Sequence, residues 1–97
     1  LHPKLKRHIG SCFRYLNRYS NGDGWWMYVR VIGIEDGELS YVSIQKTKDA
    51  KIEIATRQYG LVSSDGNIQT GYNPITLKEY RAAVSKIMAG ASKIAKK

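Results

Sequence analysis

Few residues in this chain have the types and spacing that support catalysis or metal binding. His8 and Cys12 are four residues apart, but two histidines and one cysteine in total fall short of a closed zinc site. Glu35, Asp36 and Glu38 surround a glycine in a stretch typical of a tight hairpin turn, where carboxylates are usually solvated. The glycine-rich motifs that hold phosphates or dinucleotides are also missing. We therefore expect no enzymatic activity, no metal and no cofactor.

The stretch YLNRYSNGDGWWMYVRVIGI, residues 15–34, carries the side chains best suited to binding. Neighbouring side chains of a strand point to opposite faces, so Trp25 and Trp26 cannot both enter one core. The face of Trp25 is the more apolar, and we expect it to form the core together with Met27, Val29, Val31 and Gly33. The other face carries Trp26, Tyr28, Arg30, Ile32 and Ile34, and we expect a helix to cover its Ile34 end.

Two interpretations of Trp26 stay open at this point. In the first, Trp26 is buried, either because it packs beneath the terminal helix or because a bulge turns it inward. In the second, Trp26 is exposed and forms an aromatic platform with nearby cations. Nucleic-acid bases stack on such platforms while basic side chains follow the phosphates. The same residue types dominate protein interaction hot spots. The candidate binding residues are Trp26, Tyr28, Arg30, Tyr15, Tyr19, Arg14, Arg18, Lys86 and Lys93.

The net charge of +8 is concentrated at the two ends of the chain. Residues 1–22 contain five basic residues and no acidic one, and residues 78–97 contain six basic residues and one acidic one. Residues 23–77 contain five basic and seven acidic residues. Basic ends attract polyanions, so the expected partner is single-stranded or duplex nucleic acid, or an acidic protein surface. A basic surface that serves only solubility is the alternative.

Hydrophobic periodicity predicts five strands followed by one helix. The strands are expected within 10–20, 25–34, 39–46, 51–62 and 68–72, joined by glycine-rich or polar turns. Such short connections leave no room for crossover helices, so we expect an antiparallel meander. The predicted fold is mainly β: a five-stranded bent sheet or a small SH3-like or OB-like barrel, with one C-terminal α-helix.

A capping box marks the start of the predicted helix. Thr76 and Glu79 have the spacing at which a hydroxyl and a carboxylate satisfy free backbone N–H groups. The helix should therefore begin at Leu77 and run to about residue 95. Its apolar stripe is expected to cover the sheet, with a free helix for a membrane or partner as the alternative; the stripe contains Leu77, Tyr80, Val84, Ile87, Met88, Ala91 and Ile94.

The order of elements from RHIGSCFRYLNRYS through GWWMYVRVIGIEDGELSYVSIQ to ITLKEY resembles that of small proteins encoded by bacteriophages and other mobile elements. This resemblance implies an accessory or host-interacting role, and with it a second candidate function as an inhibitor or adaptor of a host protein, or as a virion accessory protein. We expect one domain over residues 1–97, with the barrel over about 9–73. With one cysteine and no long apolar run, the expected location is the cytoplasm, that of the host for a phage protein.

Overall fold

The computed structural model describes residues 4–47 and 49–95, with side chains described as far as residue 90. A short 3-10 helix at Leu5–His8 precedes the sheet. The strands and the helix are β1 (Cys12–Arg18), β2 (Gly24–Glu35), β3 (Glu38–Lys46), β4 (Ile52–Arg57), β5 (Asn73–Ile75) and α1 (Leu77–Ala95). No helix in these described residues has the length and apolar character needed to span a membrane.

The five strands form one antiparallel sheet in the order β4-β3-β2-β1-β5. The sheet is not closed, so the open alternative of the predicted fold is confirmed and the small barrel is not formed. The predicted meander is correct from β1 to β4. The fifth strand, however, pairs with β1 and not with β4, because the chain crosses back over residues 58–72.

The fifth strand also lies later in the chain than residues 68–72. Ile68 forms only an isolated bridge with Val62, which closes the SSDGN turn. Asp65 organises this turn by accepting hydrogen bonds from the Ser63 hydroxyl (2.5 Å) and the Asn67 backbone N–H (3.0 Å). These bonds, together with those from the Asn67 side chain, lower the pKa of Asp65 to about 2. The alternating pattern at 68–72 therefore belongs to the segment that leaves this turn, and not to a strand of the sheet.

The hairpin between β2 and β3 forms as predicted. Asp36 and Gly37 both have positive φ, 52° and 79°, as a two-residue hairpin loop requires. A bulge between Val31 and Gly33 then inserts Ile32 as an extra residue. Beyond the bulge Ile34 lies opposite Leu39 and packs against the core. The expectation that Ile34 shares the face of Trp26 is therefore wrong.

The main core lies on one face of the sheet and is closed by the segment before β1 and by the segment between β4 and β5. Tyr41 is buried at its centre, and its hydroxyl donates a hydrogen bond to the backbone carbonyl of Tyr59. This core contains Leu5, Phe13, Met27, Val29, Val31, Leu39, Tyr41 and Leu61. Trp25 is on the same face but is only half-buried and lies outside this cluster, so its predicted core position is wrong.

The helix packs on the opposite face of its own sheet. The capping box is present: the Thr76 hydroxyl accepts from the Glu79 backbone N–H (3.0 Å), and a Glu79 carboxylate oxygen accepts from the Thr76 N–H (3.2 Å). α1 contacts β1, β2 and β3, and Cys12 and Ile44 are buried on this side of the sheet. The predicted stripe is half-buried at Leu77, Tyr80, Val84 and Ile87, together with Ala83.

The C-terminal part of the predicted stripe does not show the same half-burial. Met88 is 45% exposed, contrary to the expectation that it belongs to the covered stripe. Ala91 and Ile94 have side chains outside the described ones. At Ala83 and Ile87 the helix passes over the end of β2 that carries Trp26.

Candidate functional site

An open cleft of about 350 Å³ lies between the helix and the sheet. Its walls combine aromatic, aliphatic and basic side chains from three elements. We call it the Trp26 cleft; it is lined by Trp26 and Tyr28 of β2, Lys46 of β3, and Ala83, Lys86 and Ile87 of α1.

Strand pairing and helical spacing together bring these six residues into one cleft. Trp26 and Tyr28 alternate along β2 and so share one face. Tyr28 lies opposite Ile44 of β3, and Lys46 is two residues further along on that same face. On the helix, positions three and four apart lie on one side, which places Ala83, Lys86 and Ile87 together.

Three cations surround the two aromatic rings. The Arg14 guanidinium carbon lies over the ring of Trp26, 4.3 Å from its centroid. The ammonium group of Lys46 reaches the helix, because a Cβ added at Gly90 would lie 3.3 Å from Lys46 Nζ. Lys86 is exposed on the helical wall. These positive charges, close to half-buried aromatic surface, make the cleft suited to planar groups that carry negative charge.

Arg30 lies on the same face of the sheet, next to the cleft. It is half-buried and opposite Cys12 in the strand register. Burial raises the pKa of the Cys12 thiol, and the charges of Arg30 and Arg81 oppose that rise less strongly. Burial likewise raises the pKa of the neighbouring Tyr80 hydroxyl, with a further rise from Cys12. Cys12 is buried, and a thiol whose pKa is raised is a weaker nucleophile at neutral pH.

Two of the predicted binding residues, Tyr15 and Tyr19, lie on the core face of the sheet and not on the face of Trp26. Tyr15 packs against the core, with its ring centroid 4.8 Å from that of Tyr72. Tyr19 contacts Trp25, with ring centroids 4.7 Å apart. The register explains both positions, because Tyr15 pairs with Met27 and thus shares the face of Trp25. Neither tyrosine joins the Trp26 cleft.

The other predicted residues are on or near the cleft face. Arg18 is exposed at the end of β1, opposite Gly24 and beyond the cleft. Lys93 belongs to α1, but its side chain lies outside the described ones. The structure thus brings together Trp26, Tyr28, Arg14 and Lys86, with Arg30 beside them.

The most informative residue missed by sequence reasoning is Lys46. It ends β3 on the cleft face, and its lysine type alone gave no indication of that position. The alternation of Val42 and Ile44 could have placed Lys46 on the same face. Which face this is relative to Trp26 depends on the β2–β3 register, and the bulge after Val31 makes that register hard to count from the turn.

Trp25 has a separate, polar role on the opposite face. Its indole N–H donates a 2.7 Å hydrogen bond to Gln45 Oε1. Gln45 is buried, accepts a second bond from Asn17 Nδ2 (3.3 Å) and donates to Glu53 (2.9 Å). The adjacent tryptophans thus serve two functions: Trp25 satisfies a buried amide, and Trp26 lines the cleft.

Comparison with known proteins gives no assignment, since no protein family, curated protein or solved structure matches this chain. The resemblance to phage proteins stays a prediction. Among the side chains described up to residue 90, no group of three or more histidine, cysteine, aspartate or glutamate residues is arranged to hold a metal ion. The chemistry of the Trp26 cleft is therefore the basis for inferring function.

Proposed function

We propose that this protein is a non-enzymatic module that binds nucleic acid through the Trp26 cleft with little sequence specificity. Bases stack on Trp26 and Tyr28, while Lys46, Lys86 and Arg14 contact the phosphates. The observation that carries this proposal is the presence of two aromatic rings and three cations around one open cleft. Stacking tolerates every base because each has a π-face, which accounts for the low sequence specificity.

Single strands fit the cleft better than duplexes. The helix at Ala83 and Ile87 forms one wall of the cleft of about 350 Å³, and this wall hinders the approach of a duplex to the rings more than that of an unpaired base. Bases of a single strand are free to turn out and stack on side chains. The free, buried thiol of Cys12 is consistent with a reducing, cytoplasmic setting for such binding.

Fluorescence anisotropy with a labelled oligothymidylate across a salt series tests the proposal. The logarithm of the affinity should fall linearly with the logarithm of salt concentration. Lys46→Gln and Lys86→Gln should each reduce the magnitude of that slope by about 0.7. Lys6→Gln is the matched control, because Lys6 is exposed in the 3-10 helix whose Leu5 packs in the core, on the far face of the sheet from the cleft. Its slope should equal that of the parent protein.

Two results would contradict nucleic-acid binding at this site. The first is an affinity that Trp26→Leu leaves unchanged in a folded protein. The second is equal slopes for the two cleft lysine variants, the control and the parent. Binding of an acidic protein with a flat salt response and a strong Trp26 effect would instead favour the interaction-module alternative, which uses the same residue types.

A further inference from the structure

The two edges of the sheet differ in how well they are protected against pairing with another strand. β5 is three residues long and contains Pro74, which has no N–H to donate. β4 is six residues long, has no proline and pairs only with β3 in the part of the chain that the structure describes. Ile54 of β4 is 58% exposed. An edge of this length with exposed apolar surface is a template for a further strand.

The charges of β4 are arranged symmetrically about its fourth residue. Glu53 lies two residues before Ala55, and Arg57 lies two residues after it. Both side chains are exposed, and both belong to the core face of the sheet, because Glu53 pairs with Gln45 and Arg57 pairs with Tyr41.

We propose that two copies of this chain associate through their β4 edges, antiparallel and about a two-fold axis at Ala55. In this register Glu53 lies opposite Arg57 of the second copy, and the symmetry repeats the pair. Ile54 lies opposite Thr56 of the second copy, which covers part of its exposed surface. Opposite charges on facing strand positions attract, whereas a parallel pairing in register would place like charges together.

The two-fold symmetry also determines where the two Trp26 clefts of the dimer lie. A two-fold axis normal to the sheet keeps both helices, and both Trp26 clefts, on the same side of one continuous sheet. A single strand long enough to reach both clefts would then bind with increased avidity. Association of the β4 edges does not depend on what the clefts bind.

Sedimentation equilibrium of the full chain over a concentration series tests the association directly. We expect a monomer–dimer equilibrium that shifts toward monomer at high salt, because exposed ion pairs are screened. Glu53→Arg and Arg57→Glu each place like charges at both facing pairs, so each variant alone should associate about tenfold more weakly or not at all. An equimolar mixture of the two variants restores opposite charges at both pairs, so it should form a heterodimer.

Circular dichroism and a urea midpoint establish that the variants are folded. This check matters for Glu53→Arg, which loses the hydrogen bond from Gln45, and Arg57→Glu provides a variant without that loss. Glu35→Arg, at the exposed end of β2, is the control that changes the charge by the same amount as Glu53→Arg and should leave the association unchanged. A parent protein that stays monomeric at all concentrations would overturn the proposal, as would a dimer that neither reversal weakens. A mixture that fails to associate when both variants are folded would overturn the register.

Discussion

Arg14 and Trp26 form a cation–π pair across neighbouring strands, with the guanidinium carbon 4.3 Å from the ring centroid. The pair is diagonal, because Arg14 lies opposite Tyr28, and Trp26 lies opposite Leu16. At an exposed position such a contact is worth about 0.5 to 1 kcal/mol. Its larger effect is on geometry: the cation covers one face of the indole and fixes the ring at the wall of the cleft.

Replacing Arg14 by glutamine should loosen Trp26 without unfolding the protein. In a Trp25→Phe background, acrylamide quenching of the remaining tryptophan should increase, while the free energy of unfolding falls by less than about 1 kcal/mol. Arg18→Gln removes the same charge from the same strand and face but lies opposite Gly24, so it should leave quenching unchanged. Equal quenching in the two variants would show that Arg14 does not hold the ring.

Local signals in the sequence predicted the fold where a short motif determines the backbone. The Asp36-Gly37 turn and the Thr76–Glu79 capping box each act within a few residues, and both form as expected. The first four strands also form where their alternating patterns predict them. These signals predict where each strand and the helix lie along the chain. They do not predict which residues of neighbouring strands share one face of the sheet.

Errors arose where a residue's face or partner depends on a distant strand. Tyr15 of β1 and Tyr19 just after it share one face, as alternation predicts, yet only the pairing of Tyr15 with Met27 shows that this face is that of Trp25. One inserted residue, Ile32, moves Ile34 to the core face, and alternation alone does not reveal a bulge. Four of the six residues that line the cleft come from α1 and the end of β3, whose positions follow from packing.

The capping box is open to a direct stability test. Thr76→Ala removes the hydroxyl that accepts from the Glu79 N–H, and should lower the free energy of unfolding by about 1 kcal/mol. Thr76→Ser keeps the hydroxyl and should cost only a small part of that. Urea denaturation measures both values. Identical losses for alanine and serine would mean that the methyl group, not the hydrogen bond, is the stabilising feature.

Gly71 combines backbone strain with a close contact. Its φ is +102°, and an added Cβ would lie 2.9 Å from the ring of Tyr15. Gly22 has a similar φ of +93° with nothing within 4 Å of such a Cβ. Gly71→Ala should therefore destabilise the protein more than Gly22→Ala, by about 1 to 3 kcal/mol, because the ring must move. Equal melting temperatures for the two variants would contradict the contact.

Alkaline pH should weaken the fold, because burial raises the pKa of one thiol and three phenols, those of Cys12, Tyr41, Tyr72 and Tyr80. Below their ordinary values, near 9.0 for the thiol and 10.0 for the phenols, these groups are protonated in both states and their contribution is complete. Above those values the unfolded chain releases protons before the folded protein does. The free energy of unfolding therefore falls until the pH passes the pKa values of the folded protein.

The urea midpoint measured from about pH 8 to about pH 11 should therefore decrease, and the decrease should begin near the thiol value. Cys12→Ala should delay its onset to the range of the phenols, because the first group to titrate is gone. A parent midpoint that stays constant or rises over this range would contradict the sign, and an unchanged onset in Cys12→Ala would exclude the thiol as its source.

The two tryptophans should separate under mutation, because their environments differ. Trp25→Phe removes the donor to Gln45 Oε1, which keeps only the longer bond from Asn17; since Gln45 is 8% exposed, the loss should be about 1 to 2 kcal/mol of stability. Oligonucleotide affinity should be unaffected, because Trp25 faces away from the cleft. Trp26→Leu keeps apolar contact with the helix but removes the stacking surface, so affinity should fall about tenfold or more with a modest loss of stability. The comparison uses urea denaturation and anisotropy on both variants. If Trp25→Phe weakened binding as much as Trp26→Leu, the binding surface would have to include the opposite face of the sheet, where Trp25 and Tyr19 are in contact.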